Sequence, residues 1–266
     1  MTKWLIIGSD QRLRLASDIL NTQGYSCSYV AEDSFSDELE KSLRTSAPDR
    51  IILPLLSMTN PIPPKLLKKT TVLYTGQTAA QWIHQLNEFG IQHKSYLRNE
   101  QFIWKNAQLT AEAFVDVFYE QTKRTIAGKR FYIAGFGRVG KALAFTLNNL
   151  QANVTVAARS DEQLAEAAIL GYDTTRLTEY TTFTDGYVVN TIPAQWLDPK
   201  RAGRIFDVAS APGCLKPSTT SEYYTIHLKL PGIHFPVDAA TVVVDAVLRM
   251  DSEERGARCL KENESD

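Results

Sequence analysis

The residues Gly135-Phe136-Gly137-Arg138-Val139-Gly140 carry the most legible chemistry of this 266-residue chain. A strand-like run, Lys129 to Ala134, leads into them and a helix-like run, Lys141 to Leu150, leads out; Val154 to Ala158 reads as the next strand. Three glycines at this spacing, inside a strand–helix–strand unit of about 30 residues, form the pattern of a dinucleotide-binding turn. Gly135 makes the tight turn, Gly137 lets a pyrophosphate approach bare backbone, and Gly140 lets helix and strand pack closely. The open N–H groups of the helix start, with the positive end of its dipole, face the phosphates. Phe136, Arg138 and Val139 lie between the glycines and belong to the same cofactor site. The plain alternative is a turn without a ligand, but a turn alone needs one glycine rather than three.

The tip of the following strand selects the cofactor. An NAD site usually carries an acid there, to bind the ribose 2′-hydroxyl. Here Arg159 and Ser160 stand at that tip. A guanidinium pairs with a 2′-phosphate and a hydroxyl adds a hydrogen bond. The expected cofactor is NADP, with NAD as the alternative. A competing reading makes Ser160-Asp161-Glu162-Gln163 a capping box and leaves Arg159 solvated.

Two further apolar runs end in Asn190-Thr191-Ile192-Pro193 and Asp207-Val208-Ala209-Ser210. Ligands lie outside the carboxyl ends of parallel strands. Thr191, Ile192, Pro193, Asp207 and Ala209 are therefore expected at the cofactor, and Ser210 at the substrate; turn capping is the alternative for Thr191 and Asp207. Three residues are candidates for proton transfer: Glu112, at the start of a helix; His234, in the loop after Pro231-Gly232-Ile233; and Asp207. Glu112 could instead only complement a helix dipole, and His234 could be structural. Asp10, Arg12 and Gly232 are assigned to the substrate. Arg12 would grip a carboxylate, or else be a solvated helix residue. His84, His93 and His227 have no metal-like spacing with each other or with cysteine, so no metal site is expected.

The remaining composition sets the frame. Apolar residues are 44% and charged residues 22% of the chain, a globular balance. Lys plus Arg number 29 and Asp plus Glu 30, so nothing in the net charge of -1 draws the chain to nucleic acid or an anionic membrane. No apolar run approaches the roughly 18 residues of a membrane span. Three dispersed cysteines without a CxxC argue against a disulfide framework, and a soluble cytoplasmic protein is expected. Strand signals at Trp4–Ile7, Cys27–Val30, Arg50–Leu56, Thr71–Thr75 and Ser95–Leu97 alternate with helix signals at Arg12–Leu20, Ser36–Leu43 and Ala79–Phe89. The expected fold class is α/β with two parallel-sheet domains, the C-terminal one a Rossmann fold. Residues 1–108 form a flavodoxin-like, substrate-side domain, and 109–127 an inter-domain helix whose clear part is Thr110–Thr122. Residues 128–236 form the Rossmann domain, and 237–266 a C-terminal helix with a frayed tail from Ser252. The apolar stripe Ala239, Ala240, Val243, Val244, Val247 and Leu248 is core or a subunit contact, and a homo-oligomer is expected.

The segments GFGRVGKALA, VAARS, NTIP, DVAS-x-PG and LPGI-x-x-P, from about Gly135 to Ala240, resemble the dipicolinate synthase family, in its A-type subunit. Gly8, Asp10 and Arg12, the run RIILPL, and Asn106 with Thr110-Ala111-Glu112 extend the resemblance toward the amino terminus. A broader kinship is with D-2-hydroxyacid dehydrogenases. The resemblance implies two α/β domains with a nicotinamide cofactor in the cleft. It implies oxidation of dihydrodipicolinate, a small carboxylated heterocycle, to dipicolinate. It also implies the setting of a spore-former's mother cell, and a flavoprotein-like second subunit. Two departures stand out. Ala211 replaces an arginine of the family's usual DLASRPGG, and Val237-Asp238 replace its Lys-Thr pair. Both remove groups suited to a dicarboxylate, which leaves two alternatives: a dehydrogenase or reductase for another small carboxylate, or a non-catalytic cofactor-binding relative.

Overall fold

The computed structural model describes the backbone of residues 2–263 and the side chains as far as Glu253. The chain divides into two compact units: Met1–Lys105 with Phe235–Asp266, and Asn106–His234. The division falls inside one long helix.

In the first unit, strands β1 (Lys3–Ile7), β2 (Ser26–Val30), β3 (Arg50–Ile52), β4 (Val72–Thr75) and β5 (Gln92–Ser95) alternate with helices α1 (Gln11–Thr22), α2 (Asp37–Ser46) and α3 (Ala80–Glu88). The sheet is parallel throughout, in the order β2-β1-β3-β4-β5. That is the flavodoxin-like order. Trp4, Leu5, Ile6 and Ile7 are all buried, as a parallel strand covered on both faces requires. Ser36 starts α2 by accepting from Leu39 N at 3.2 Å, and Leu39 and Leu43 face the core. Two expectations shift here. The strand expected over Arg50–Leu56 stops at Ile52, just before Leu53-Pro54. The strand expected at Ser95–Leu97 is instead β5 over Gln92–Ser95, followed by a 3-10 turn over Tyr96–Arg98. Tyr96 is buried there, and its hydroxyl donates to Leu53 O at 2.9 Å.

Helix α4 spans Glu100–Thr122 and begins well before the expected Thr110. Asn99 caps it, accepting from Phe102 N at 2.9 Å through its side chain. From Asn106 onward it packs on the second unit's sheet. Phe118 stands edge-on to Tyr187, with ring centroids 4.9 Å apart, and Phe114 edge-on to Phe206 at 5.5 Å. Of the apolar stripe that the sequence gives this helix, Ala111, Phe114, Val117 and Phe118 are buried and Val115 is half-buried.

The second unit contains β6 (Arg130–Ala134), α5 (Arg138–Asn149), β7 (Asn153–Ala158), α6 (Asp161–Ile169), β8 (Asp173–Arg176), β9 (Phe183–Asn190), β10 (Ala202–Asp207), β11 (Tyr224–Ile226) and α7 (Leu230–His234). Its parallel sheet runs β11-β10-β9-β6-β7-β8. Numbered from β6, this is the 3-2-1-4-5-6 order of the doubly wound dinucleotide fold. His234 and Gly232, expected in a loop, lie in α7.

Helix α8 spans Pro236–Asn263 and packs against α1 in the first unit. Ala239, Ala240, Val243, Val244 and Val247 are buried in the core, and Leu248 is half-buried. The tail expected to fray from Ser252 continues α8 to Asn263, and residues 264–266 lie outside the described residues. Asp251 on α8 is fully buried. It accepts from Tyr74 Oη at 2.9 Å and pairs with the buried Arg50. No described helix is long and apolar enough to cross a membrane.

Candidate dinucleotide site

The glycine-rich turn joins β6 to α5, as the spacing predicts. Its three glycines have different causes. Gly135 adopts φ +91, and a Cβ there would lie 2.6 Å from Thr191 Oγ1 and 2.9 Å from Ile192 Cγ1. A Cβ on Gly140 would collide with the Gly135 carbonyl oxygen. Both residues are explained within the protein, by chain reversal and by helix–strand packing. Gly137 is not. Its φ of -78 and ψ of -167 suit any residue, and no protein atom comes within 4 Å of where its Cβ would stand. The bare backbone at the start of α5 is open, which fits a pyrophosphate lying against it. Phe136 is buried, Val139 half-buried, and Arg138 exposed at the start of α5.

Thr191 closes the turn from the other side. Its N–H and its hydroxyl both donate to Ala134 O, at 2.9 and 2.8 Å. The Thr191 side chain therefore shapes the glycine turn. Ile192 is half-buried against Gly135, and Pro193 is exposed. Arg159 and Ser160 follow β7 and are both exposed. Ser160 occupies the N-cap position of α6, but its side chain makes no capping hydrogen bond, so the capping-box alternative is not realised.

Asp207 is the hub of the neighbouring strand ends. It is fully buried at the end of β10. One carboxylate oxygen accepts from Asn190 Nδ2 at 2.8 Å and Ala209 N at 3.1 Å; the other accepts from Cys214 N at 2.6 Å and Tyr224 Oη at 3.0 Å. Four donors fill a carboxylate's acceptor sites. Asp207 therefore anchors the 207–214 turn and has no site left for a reacting proton, a correction to its expected catalytic role. Burial first, and the Asp207 charge second, push up the Cys214 thiol and the Tyr224 phenol, so both stay protonated. Asn190, which no sequence signal singles out, also accepts from Trp196 Nε1 at 3.1 Å and Ile192 N at 3.2 Å. It ties the 190–196 turn to the same hub. Ala209 is buried beside it, while Ser210 and Ala211 are exposed.

Glu112 does not open a helix. It is exposed midway along α4, with Gln108 Nε2 donating to it at 3.0 Å. The helix-dipole alternative fails for the same reason. His234 Nδ1 lies 2.7 Å from Asp116 Oδ2 of α4. The carboxylate fixes the orientation of the imidazole ring. Asp116 escapes a reading of the sequence, because an acid on an exposed helix face carries no local signal. His227 rests on Phe206, ring centroids 6.1 Å apart, and burial, then His234, lowers its pKa. Arg12 is neither solvated nor open to a ligand carboxylate: it is buried, and its guanidinium donates to Asp10 at 2.9 and 2.7 Å. The first unit does hold a cavity of about 650 Å³ beside α3, lined by Leu53, Asn60, Lys65, Gln77, Thr78 and Trp82 among others. Asp10 and Arg12 are not among its lining residues. No group of three or more metal-binding side chains occurs among the described residues.

No protein-family profile matches the chain. Over 166 residues it is 30% identical to the A-type subunit of dipicolinate synthase from Bacillus subtilis, covering 56% of this chain and 54% of that protein. The resemblance is to dipicolinate synthase. The chain spans about half the length of that relative. It is also 28% identical to adenosylhomocysteinase of Aeropyrum pernix over 109 residues, 39% of this chain and 26% of that one. Among solved structures, that of the same dipicolinate synthase component from Bacillus subtilis matches with a TM-score of 0.79 at 21% identity, over 96% of this chain and 97% of that one. The apo D-lactate dehydrogenase of Escherichia coli matches at 0.60 with 11% identity, over 95% and 97%. The fold is that of the Rossmann-type dehydrogenases.

Proposed function

We propose that the chain is an NADP-dependent oxidoreductase that oxidises a small carboxylated heterocycle of the dihydrodipicolinate type. The observation that carries the reading is Gly137. It is the one glycine of the turn for which neither packing nor backbone conformation requires glycine, so the requirement falls to a ligand pressed against it. The turn and the first N–H groups of α5 would hold a pyrophosphate. Arg159 and Ser160, exposed at the tip of β7, would bind a 2′-phosphate. The Asn190–Asp207 hub would fix the two turns against which nicotinamide and substrate lie.

Turning a dihydropyridine into a pyridine removes a hydride and a proton. Bound NADP would supply the hydride acceptor. His234, held by Asp116, is the group of this chain best suited to receive the proton. A second reading, a different small carboxylate as substrate, is favoured by Ala211 and Val237, which stand exposed where the family has Arg and Lys. The proposal includes a cytoplasmic setting, in keeping with the composition, self-association, and the flavoprotein-like second subunit that the resemblance implies.

Fluorescence titration with NADPH and NADH, on wild type and Arg159→Ala, tests the cofactor. Loss of one charge-assisted contact should weaken NADPH about tenfold or more and leave NADH nearly unchanged. Binding of neither nucleotide would sink the reading. Turnover of dihydrodipicolinate then separates the two substrates. Activity that appears only in Ala211→Arg with Val237→Lys would favour the second.

A further inference from the structure

Strand β8 ends on Arg176, at the sheet edge beside β7. Its guanidinium reaches the turn between β7 and α6 at two points. Nη1 donates to the Arg159 carbonyl at 3.0 Å, and Nη2 forms an ion pair with the carboxylate of Asp161. Asp161 is the first residue of α6, and its side chain is 85% exposed, against 51% for Arg176.

The turn thus carries two residues with opposed preferences. In the doubly wound fold, an acid near the tip of the second strand binds a ribose 2′-hydroxyl, whereas an arginine accommodates a 2′-phosphate. Arg159 suits the phosphate. Asp161, left alone, would repel it and favour the unphosphorylated ribose.

We propose that Arg176 is the positioning residue that sets cofactor choice. It neutralises Asp161 and, through the Arg159 carbonyl, holds the turn from which the Arg159 side chain extends. A 2′-phosphate then meets a held Arg159 guanidinium and a masked acid. The inference rests on the reading that this turn binds a dinucleotide.

The pair is exposed, and exposed pairs contribute little to stability. Its loss should therefore register in the ratio of cofactor affinities and not in the melting temperature. The experiment titrates wild type, Arg159→Ala, Arg176→Ala, Arg176→Lys and the double variant Arg176→Ala with Asp161→Asn, each with NADPH and with NADH. Arg176→Ala should weaken NADPH about tenfold or more while NADH stays within about twofold or tightens. Arg176→Lys should keep part of the preference, and adding Asp161→Asn to Arg176→Ala should return part of it. Equal weakening of both nucleotides by Arg176→Ala would make Arg176 merely structural and overturn the inference; so would an unchanged ratio. Those outcomes leave the dinucleotide reading standing if wild type binds NADPH and Arg159→Ala loses it. A wild type that binds neither nucleotide overturns both.

Discussion

Gly137 and Gly140 look alike in the motif and answer to different constraints. A Cβ at Gly140 runs into the Gly135 carbonyl, whereas a Cβ at Gly137 enters open space. Gly137→Val should therefore melt within about 1 kcal/mol of wild type, as a surface change does. It should bind NADPH too weakly to detect in the same titration. Retained binding would show that no ligand presses on this backbone. The site was legible as residue types at the right places: the turn, the Arg159–Ser160 tip and the 190s and 207s loops all stand where spacing puts them. Partners were not legible. Arg12 is bound by Asp10, and Asp207 by four donors, because a sequence gives a side chain's charge but not which neighbour reaches it first.

At the scale of elements, strong periodicity was reliable and boundaries were not. Helix α4 begins at Glu100 because Asn99 caps it, a signal present in the sequence but overshadowed by the apolar stripe that starts later. That shift carries Glu112 from a helix start to mid-helix. The β5 strand was misplaced because Tyr96, apolar in type, is buried by a 3-10 turn. Helix α8 shows what no local pattern could: Asp251 follows the apolar stretch of the helix and meets Arg50 and Tyr74 from strands far back in the chain. Removing one partner of a buried ion pair strands the other charge. Asp251→Ala should lower unfolding free energy by about 3–5 kcal/mol in urea denaturation, and Arg50→Met with Asp251→Leu should restore most of it. A change under about 1 kcal/mol for the single variant would mean that water reaches Arg50.

At the scale of the molecule, both sheets follow from alternating strand and helix signals, and their strand orders are the two common doubly wound solutions. The units differ in how the chain builds them. The second is one continuous segment, Asn106–His234; the first is made of Met1–Lys105 closed by a helix from the far end of the chain. A fragment of residues 106–234 should unfold cooperatively by itself. A fragment of residues 1–105 should not, because it lacks Asp251 for Arg50 and the helix that covers α1. Calorimetry of the two fragments checks this, and a cooperative transition in residues 1–105 would show that α8 is dispensable.

This split has a consequence during synthesis. The ribosome completes the first sheet early, but its closing helix emerges only after all of Asn106–His234. At roughly 5–20 residues per second, the nascent first unit waits roughly 10 s with an uncovered apolar face. Over that interval the exposed face is open to non-native contacts, while the second unit made after it can already be folding.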